Sequence, residues 1–265
     1  MNPDYWLRQA ADKPLFPELE WSRPENRMHA GKLLIVGGNA HGFAAPAEAY
    51  NESFRAGIGA ARVLLPDAIK KDVGQVLEHV DFAPSTPSGS FSQKALGELC
   101  EFVKWADGIL LAGDLGRNSE TAIWLERFLS RGESPTIITK DAADYISTAP
   151  GSVLGRPNTT LAISLSQLQR LATAAHAPQP VRFNMNLLQL VDWLHDFTSM
   201  HAPNIIVKHL ENIFVAVDGQ VSTTRLLEDM PIWRVKTAAH AAVWWIQNLM
   251  RPFEGLTTAV YTIAK

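Results

Sequence analysis

Near the carboxyl end of the sequence, "VKTAAHAAVWWIQNLMRPFEG" (residues 235–255) reads as a loop running into a buried helix. At such a junction the free amides of a helix start can hold a phosphate, with an acid or base placed beside it. The residues on offer are Lys236, Thr237, Ala238, Ala239 and His240, with no glycine and no carboxylate among them. The His240 imidazole could serve as a general base near neutral pH.

Two further junctions set glycines between an apolar run and a helical pattern. In "GGNAHGFAAP" (37–46), backbone amides after Gly38 could approach a phosphate, or the stretch is a tight strand-to-helix turn. Its spacing is not G-x-G-x-x-G. In "LLAGDLGRNSE" (110–120), Gly113 and Gly116 permit close backbone approach, and Asp114 places a carboxylate at a strand end or in a turn. There is no G-x-x-x-x-G-K-[ST] loop and no G-x-S-x-G elbow, which leaves a serine hydrolase without support. His41, His176, His195, His201, His209 and His240 lack ligand spacing, so no metal site is expected.

These junctions need elements to hold them. Apolar runs at 32–38, 60–66, 108–113, 135–139, 160–165, 204–208 and 213–221 predict strands. Helical patterns occupy 45–57, 67–80 (with Asp67 as N-cap), about 93–105, 117–132, 166–175 and 183–198. The Pro-, Ser- and Gly-rich stretch 81–92 predicts a loop, and Asp218-Gly219 a hairpin turn of type I′. Strands alternating with helices imply a mostly parallel sheet covered on both faces, with ligands at the carboxyl ends of its strands. The loops to watch are 37–44, 112–118, 139–141, 163–167, 208–212 and 231–240.

Composition narrows the class. The 265 residues are 46% hydrophobic with a net charge of −3, and no basic face is clustered for nucleic acid. Cys100 is alone, so no disulfide forms within the chain. With no membrane-length apolar run and no signal-peptide core, a cytoplasmic protein is expected, with no membrane and no nucleic acid as partners. The absence of repeats and linkers predicts one domain over 24–265, after an extension of residues 1–23.

From about residue 24 onward the chain resembles the ribokinase-like superfamily, and within it the ADP- or ATP-dependent NAD(P)H-hydrate dehydratases of carbohydrate-kinase-like type. Gly31, Gly37, Gly38, Ala45, Pro46, Arg55, Ala56, Gly57 and Gly59 match that family's opening pattern. Leu115, Gly116 and Arg117 match its Gly-Pro-Gly-Leu-Gly-Arg segment, and Asp141 keeps the second Asp of its Asp-Ala-Asp. Lys208 and the Asp218-Gly219 turn are also retained.

The resemblance implies a three-layer α/β sandwich, a substrate side around Gly38, Ala45, Asp114, Gly116 and Asp141, and a nucleotide side around Lys208 and residues 237–239. The implied ligands are ADP or ATP and hydrated NAD(P)H. Mg2+ is left open, and a homo-oligomer is implied. The departures fall on the chemistry. Thr139 replaces the first Asp, and Ile163, Ser164, Ser166 and Gln167 replace a Pro, His, Gly and Glu segment. Thr237, Ala238, Ala239 and His240 stand where the family has Gly-Thr/Ser-Gly-Asp. Trp244, one turn on, stands where it has a small step, and is expected to pack into the core. The expected protein keeps the fold and has lost most or all of the dehydratase chemistry. The alternatives are a divergent active dehydratase with His240 as base, or a small-molecule kinase.

Overall fold

A computed structural model describes residues 3–10, 12–73, 77–226 and 233–264. In chain order the elements are β1 (Trp6–Gln9), α1 (Pro17–Trp21), β2 (Lys32–Gly37), α2 (Ala44–Arg55), β3 (Ala60–Pro66), α3 (Lys70–Val73) and β4 (Val80–Ala83). There follow α4 (Leu96–Trp105), β5 (Gly108–Gly113), α5 (Ser119–Leu129), β6 (Thr136–Thr139), α6 (Ala142–Thr148), β7 (Thr159–Ser164) and α7 (Leu165–Ala174). The chain ends with α8 (Leu187–Met200), β8 (Asn204–His209), β9 (Asn212–Val217), β10 (Gln220–Arg225), α9 (Trp233–Gln247) and α10 (Pro252–Ala264).

The strands form one sheet in the order β1-β10-β9-β8-β7-β6-β5-β2-β3-β4. The block from β2 to β8 is parallel throughout. β9 runs antiparallel between β8 and β10, and β1 closes the edge parallel to β10. Asp218 (φ 46) and Gly219 (φ 79) turn β9 into β10 with both φ positive, as a type I′ hairpin requires.

Burial on both faces explains the unbroken apolar strands. Leu33, Leu34, Ile35 and Val36 of β2 are all inaccessible to solvent. Leu33 and Ile35 join the core beneath α2, α9 and α10, and Leu34 and Val36 join the core beneath α4 to α8. Successive strand side chains point to opposite faces, so a central strand of a three-layer sandwich must be apolar at every position.

One stretch departs from the sequence expectation. The helix expected over 67–80 is a 3-10 turn at Asp67–Ile69 followed by the single turn of α3, and Val80 already belongs to β4. Asp67 does not cap it through its side chain, since its carboxylate accepts from the Ser85 amide at 3.0 Å. Val80 and Phe82 pack on the α2 side and Ala83 on the other, a two-residue alternation that outweighs the helical reading and takes 81–83 out of the expected loop. Among the described residues no helix is long and apolar enough to cross a membrane.

Trp244 lies on the inner side of α9, 1% exposed, with the Arg23 guanidinium 4.5 Å above its ring. Truncating a buried tryptophan removes its transfer energy and leaves a cavity, together about 3–5 kcal/mol. Trp244→Ala is expected to lower unfolding stability by that amount in urea titrations. A change under about 1 kcal/mol would place the indole outside the core.

Candidate functional site

The chain leaves β2 toward β3 and β4, then returns to lay β5 on the other side of β2 before proceeding to β6. β2 and β5 are thus neighbours whose connections depart in opposite directions. The crevice beyond their carboxyl ends is where open α/β sheets take ligands. Gly37 and Gly113 face each other there, after a register shift between Val36 and Gly37. A Cβ on Gly37 would stand 2.3 Å from the Gly113 carbonyl oxygen, and Gly113 itself has φ 101. Only glycine admits both conditions. The Gly38 amide then donates to the Gly113 carbonyl at 3.0 Å.

Asp114 follows in the left-handed region, φ 57. One of its carboxylate oxygens accepts from the Ala45 amide at 2.7 Å and the other from Lys140 Nζ at 2.8 Å. Phe43, the N-cap of α2, has no side-chain acceptor to offer, so Asp114 completes that helix start from another loop. Asp141 Oδ2 accepts from the Gly116 amide at 3.1 Å, while Asp141 Oδ1 is buried without a partner. Burial raises the Asp141 pKa above the usual carboxylate value and the Asp114 charge adds to the rise, while the Gly116 and Asp114 amides and Lys140 oppose it. Tyr145 ties the loop down, donating to the Gly116 carbonyl at 2.6 Å and accepting from the Asn118 amide at 3.0 Å.

Gly38, Ala45, Asp114, Gly116 and Asp141 are therefore brought together in one hydrogen-bonded crevice. Sequence reasoning did not single out Lys140, Asn39 or Tyr145. A Lys-Asp pair directly after a strand, as in "TKDAAD", was the available signal for the first. Asn39 Nδ2 donates to the Asp114 carbonyl at 2.6 Å. Beside the crevice, Gln167 Nε2 donates to the Lys140 carbonyl at 2.7 Å and to Asp144 at 2.8 Å, and Arg170 pairs with Asp144. Arg234, at the start of α9, reaches Gln167 at 3.2 Å. Lys208 lies in β8, in register with Ser164 of β7.

The expected loop over 231–240 is corrected in part: α9 is already helical at Trp233, while 231 and 232 lie outside the described residues. Thr237, Ala238, Ala239 and His240 are thus inside the helix, where each amide is committed to the carbonyl four residues back. Thr237, Ala238 and Ala239 are inaccessible to solvent, packed where α9 lies over β5, β6 and β7. These residues do not fit a phosphate cradle. His240 Nε2 meets Glu52 Oε2 of α2 at 3.1 Å, and Glu52 also holds Arg55. His240 Nδ1 is buried without a partner. Ala45 and Glu52 share α2, and seven residues at 1.5 Å each put the His240 contact roughly 10 Å down the helix from Asp114. The Glu52 position was legible, because Ala45, Ala49, Glu52 and Ala56 share the buried side of α2 at helical spacing. As for Mg2+, both Asp114 oxygens are already engaged, and no cluster of three or more His, Cys, Asp or Glu fit to hold a metal occurs among the described residues.

No family model matches the sequence, and no curated protein does. Solved structures resemble it. A ribokinase-like superfamily protein from Enterococcus faecalis superposes with a TM-score of 0.74 at 14% identity, over 99% of this chain and 88% of that one. A hypothetical protein from Streptococcus mutans gives 0.69 at 15% identity, over 90% and 83%. The ADP/ATP-dependent NAD(P)H-hydrate dehydratase of Bacillus subtilis, co-crystallised with ATP and Mg2+, gives 0.63 at 12% identity, over 94% and 86%. At these identities the likeness establishes the architecture: the chain has the ribokinase-like fold.

The His240 environment sets a pH dependence. Burial lowers its pKa below 6.5, the Glu52 hydrogen bond and charge oppose this, and Lys236 and Arg23 reinforce it. The unfolded chain therefore takes up the proton first as pH falls. Stability from this group is full above about 6.5 and declines toward the folded-state value. Wild type is expected to lose stability relative to His240→Gln, which keeps a donor for Glu52, between pH 7.5 and 5.5. Urea midpoints at the two pH values check this, and parallel declines in the two proteins would contradict it.

Proposed function

We propose that the protein is a ribokinase-fold relative of the NAD(P)H-hydrate dehydratases that has lost nucleotide-driven dehydration, while keeping a small-molecule crevice around Gly38, Asp114, Gly116 and Asp141. The observation that carries this is the state of α9: the amides of 237–240 are internal to the helix, and His240 is held against Glu52. A phosphate there would have to displace alanine methyl groups and compete with four helical hydrogen bonds, each worth about 1 kcal/mol net. An imidazole held by Glu52 well down the helix does not reach the crevice. The same reading makes the chain a cytoplasmic subunit, working as a homo-oligomer, that binds a nucleotide-like or other small polar ligand without turning it over.

One observation favours a second reading, a divergent active dehydratase. Asp141 has an unpartnered oxygen and a raised pKa beside Asp114, which suits a carboxyl group that hands a proton to a leaving hydroxyl. On that reading Asp141→Asn abolishes turnover and His240→Gln does not.

The deciding experiment supplies hydrated NADPH with ATP or ADP and Mg2+, and follows the return of NADPH absorbance. No turnover above background is expected. Enzyme-like turnover ends the first reading, and its loss in Asp141→Asn alone establishes the second.

A further inference from the structure

A second cleft of about 820 Å³ opens at the other end of the sheet, at the starts of β2 and β3. Arg27 and Lys32 stand on one side, Glu78 and His79 on another, and Tyr50 and Phe54 of α2 supply its aromatic wall. Lys32 begins β2 and Gly37 ends it, so the strand's length separates this cleft from the crevice at Asp114. Gly59 shapes the mouth. A Cβ there would stand 2.0 Å from the Arg27 carbonyl oxygen, so glycine lets the 27–29 turn close down on the start of β3.

Three features set what the cleft can take. Tyr50 is 8% exposed, lines the cleft, and its hydroxyl has no hydrogen-bond partner among the described residues. The hydroxyl oxygen is open to the solvent of the cleft, where a guest can reach it. Burial and the nearby Glu78 charge raise its pKa, so it remains a donor. Secondly, Arg27 and Lys32 make no ion pair among the described residues, and each is placed near an aromatic ring, Arg27 at 5.7 Å from Phe54 and Lys32 at 5.9 Å from Trp105. Both are exposed at the rim of the cleft, and Glu78 is the one acidic residue among the described residues lining it. Thirdly, the adjoining recess is pre-formed: Arg62 is held by two 2.8 Å bonds to Asp81 and lies 5.6 Å from the Trp105 ring, so it is already occupied as a wall.

We propose that this cleft is a second ligand site, taking a small organic anion with a planar apolar body. Arg27 and Lys32 hold its charged group, Phe54 packs on its body, and the Tyr50 hydroxyl donates to one of its polar atoms. This goes beyond the crevice at Asp114 and is independent of whether that crevice is catalytic.

The probe is 2-naphthyl phosphate in calorimetry on the full chain, with 2-naphthol and inorganic phosphate as partial ligands. The whole probe is expected to bind more tightly than either part. Arg27→Ala with Lys32→Ala should weaken it roughly tenfold or more, and Tyr50→Phe, which keeps the ring, by roughly three- to tenfold. Asp141→Asn, at the other crevice, should leave it unchanged. Circular dichroism establishes that each variant is folded. Absence of binding at millimolar probe, binding that survives both cleft variants, or binding lost with Asp141→Asn would each overturn the proposal.

Discussion

Gly37 and Gly113 bring two strand ends closer than any side chain permits, and the surrounding architecture follows from that contact. The Gly38 amide is set on the Gly113 carbonyl, and the next residue, Asp114, is thrown into the left-handed region with its carboxylate against the start of α2. α2 gains the acceptor its own N-cap lacks. Its descent from that fixed start carries Ala49, Glu52 and Ala56 down the buried side and sets Glu52 opposite His240. A Cβ at Gly37 would push the strands apart and loosen α2 at its start. The α2–α9 contact would feel it next, because packed elements transmit displacement rather than absorb it.

α9 shows how residue type sets backbone as well as chemistry. Glycines at a helix start resist helix and permit the open geometry that presents amides to an anion. Alanine is the strongest helix former. With Ala238, Ala239, Ala241 and Ala242 in a row around His240, the helix runs through the region from Trp233 onward. The alanines also let α9 lie close on β5, β6 and β7. His240 takes the one polar partner this packing offers. Desolvation keeps its imidazole neutral even with a carboxylate at hydrogen-bond distance.

Where physics is local, the sequence was easy to read. The strands 60–66 and 108–113 show as short apolar runs closed by proline or glycine, and both appear with those bounds. The crevice was legible for the same reason, since glycines after strands mark close approach. Glu52 could be read as buried from its spacing but not as the partner of His240, because the two are 188 positions apart and nothing in either segment names the other. β4 was missed because four residues of alternation at a sheet edge are weaker than a neighbouring helical pattern. β1 was hidden differently: Trp6 and Gln9 become strand residues only by pairing with β10, more than two hundred positions later.

The placing of strain says which part of the molecule is still constrained. Of six described non-glycine residues with positive φ, two, Asp114 and Lys140, meet across the crevice, joined by a 2.8 Å ion pair. Such conformations cost of order 1–3 kcal/mol each and persist where the surroundings hold them. Beside them Asp141 keeps a buried oxygen unpaired, a further unfavourable arrangement. A chain selected for stability alone would relax these features by common substitutions, such as glycine at 114 or asparagine at 141. In α9 small apolar side chains and a self-satisfied helix fill the positions that the resemblance assigns to an anion hole. The strain at Asp114 and Lys140 and the unpaired Asp141 oxygen therefore sit at one place, the crevice between β2 and β5, while no described residue of α9 has a positive φ.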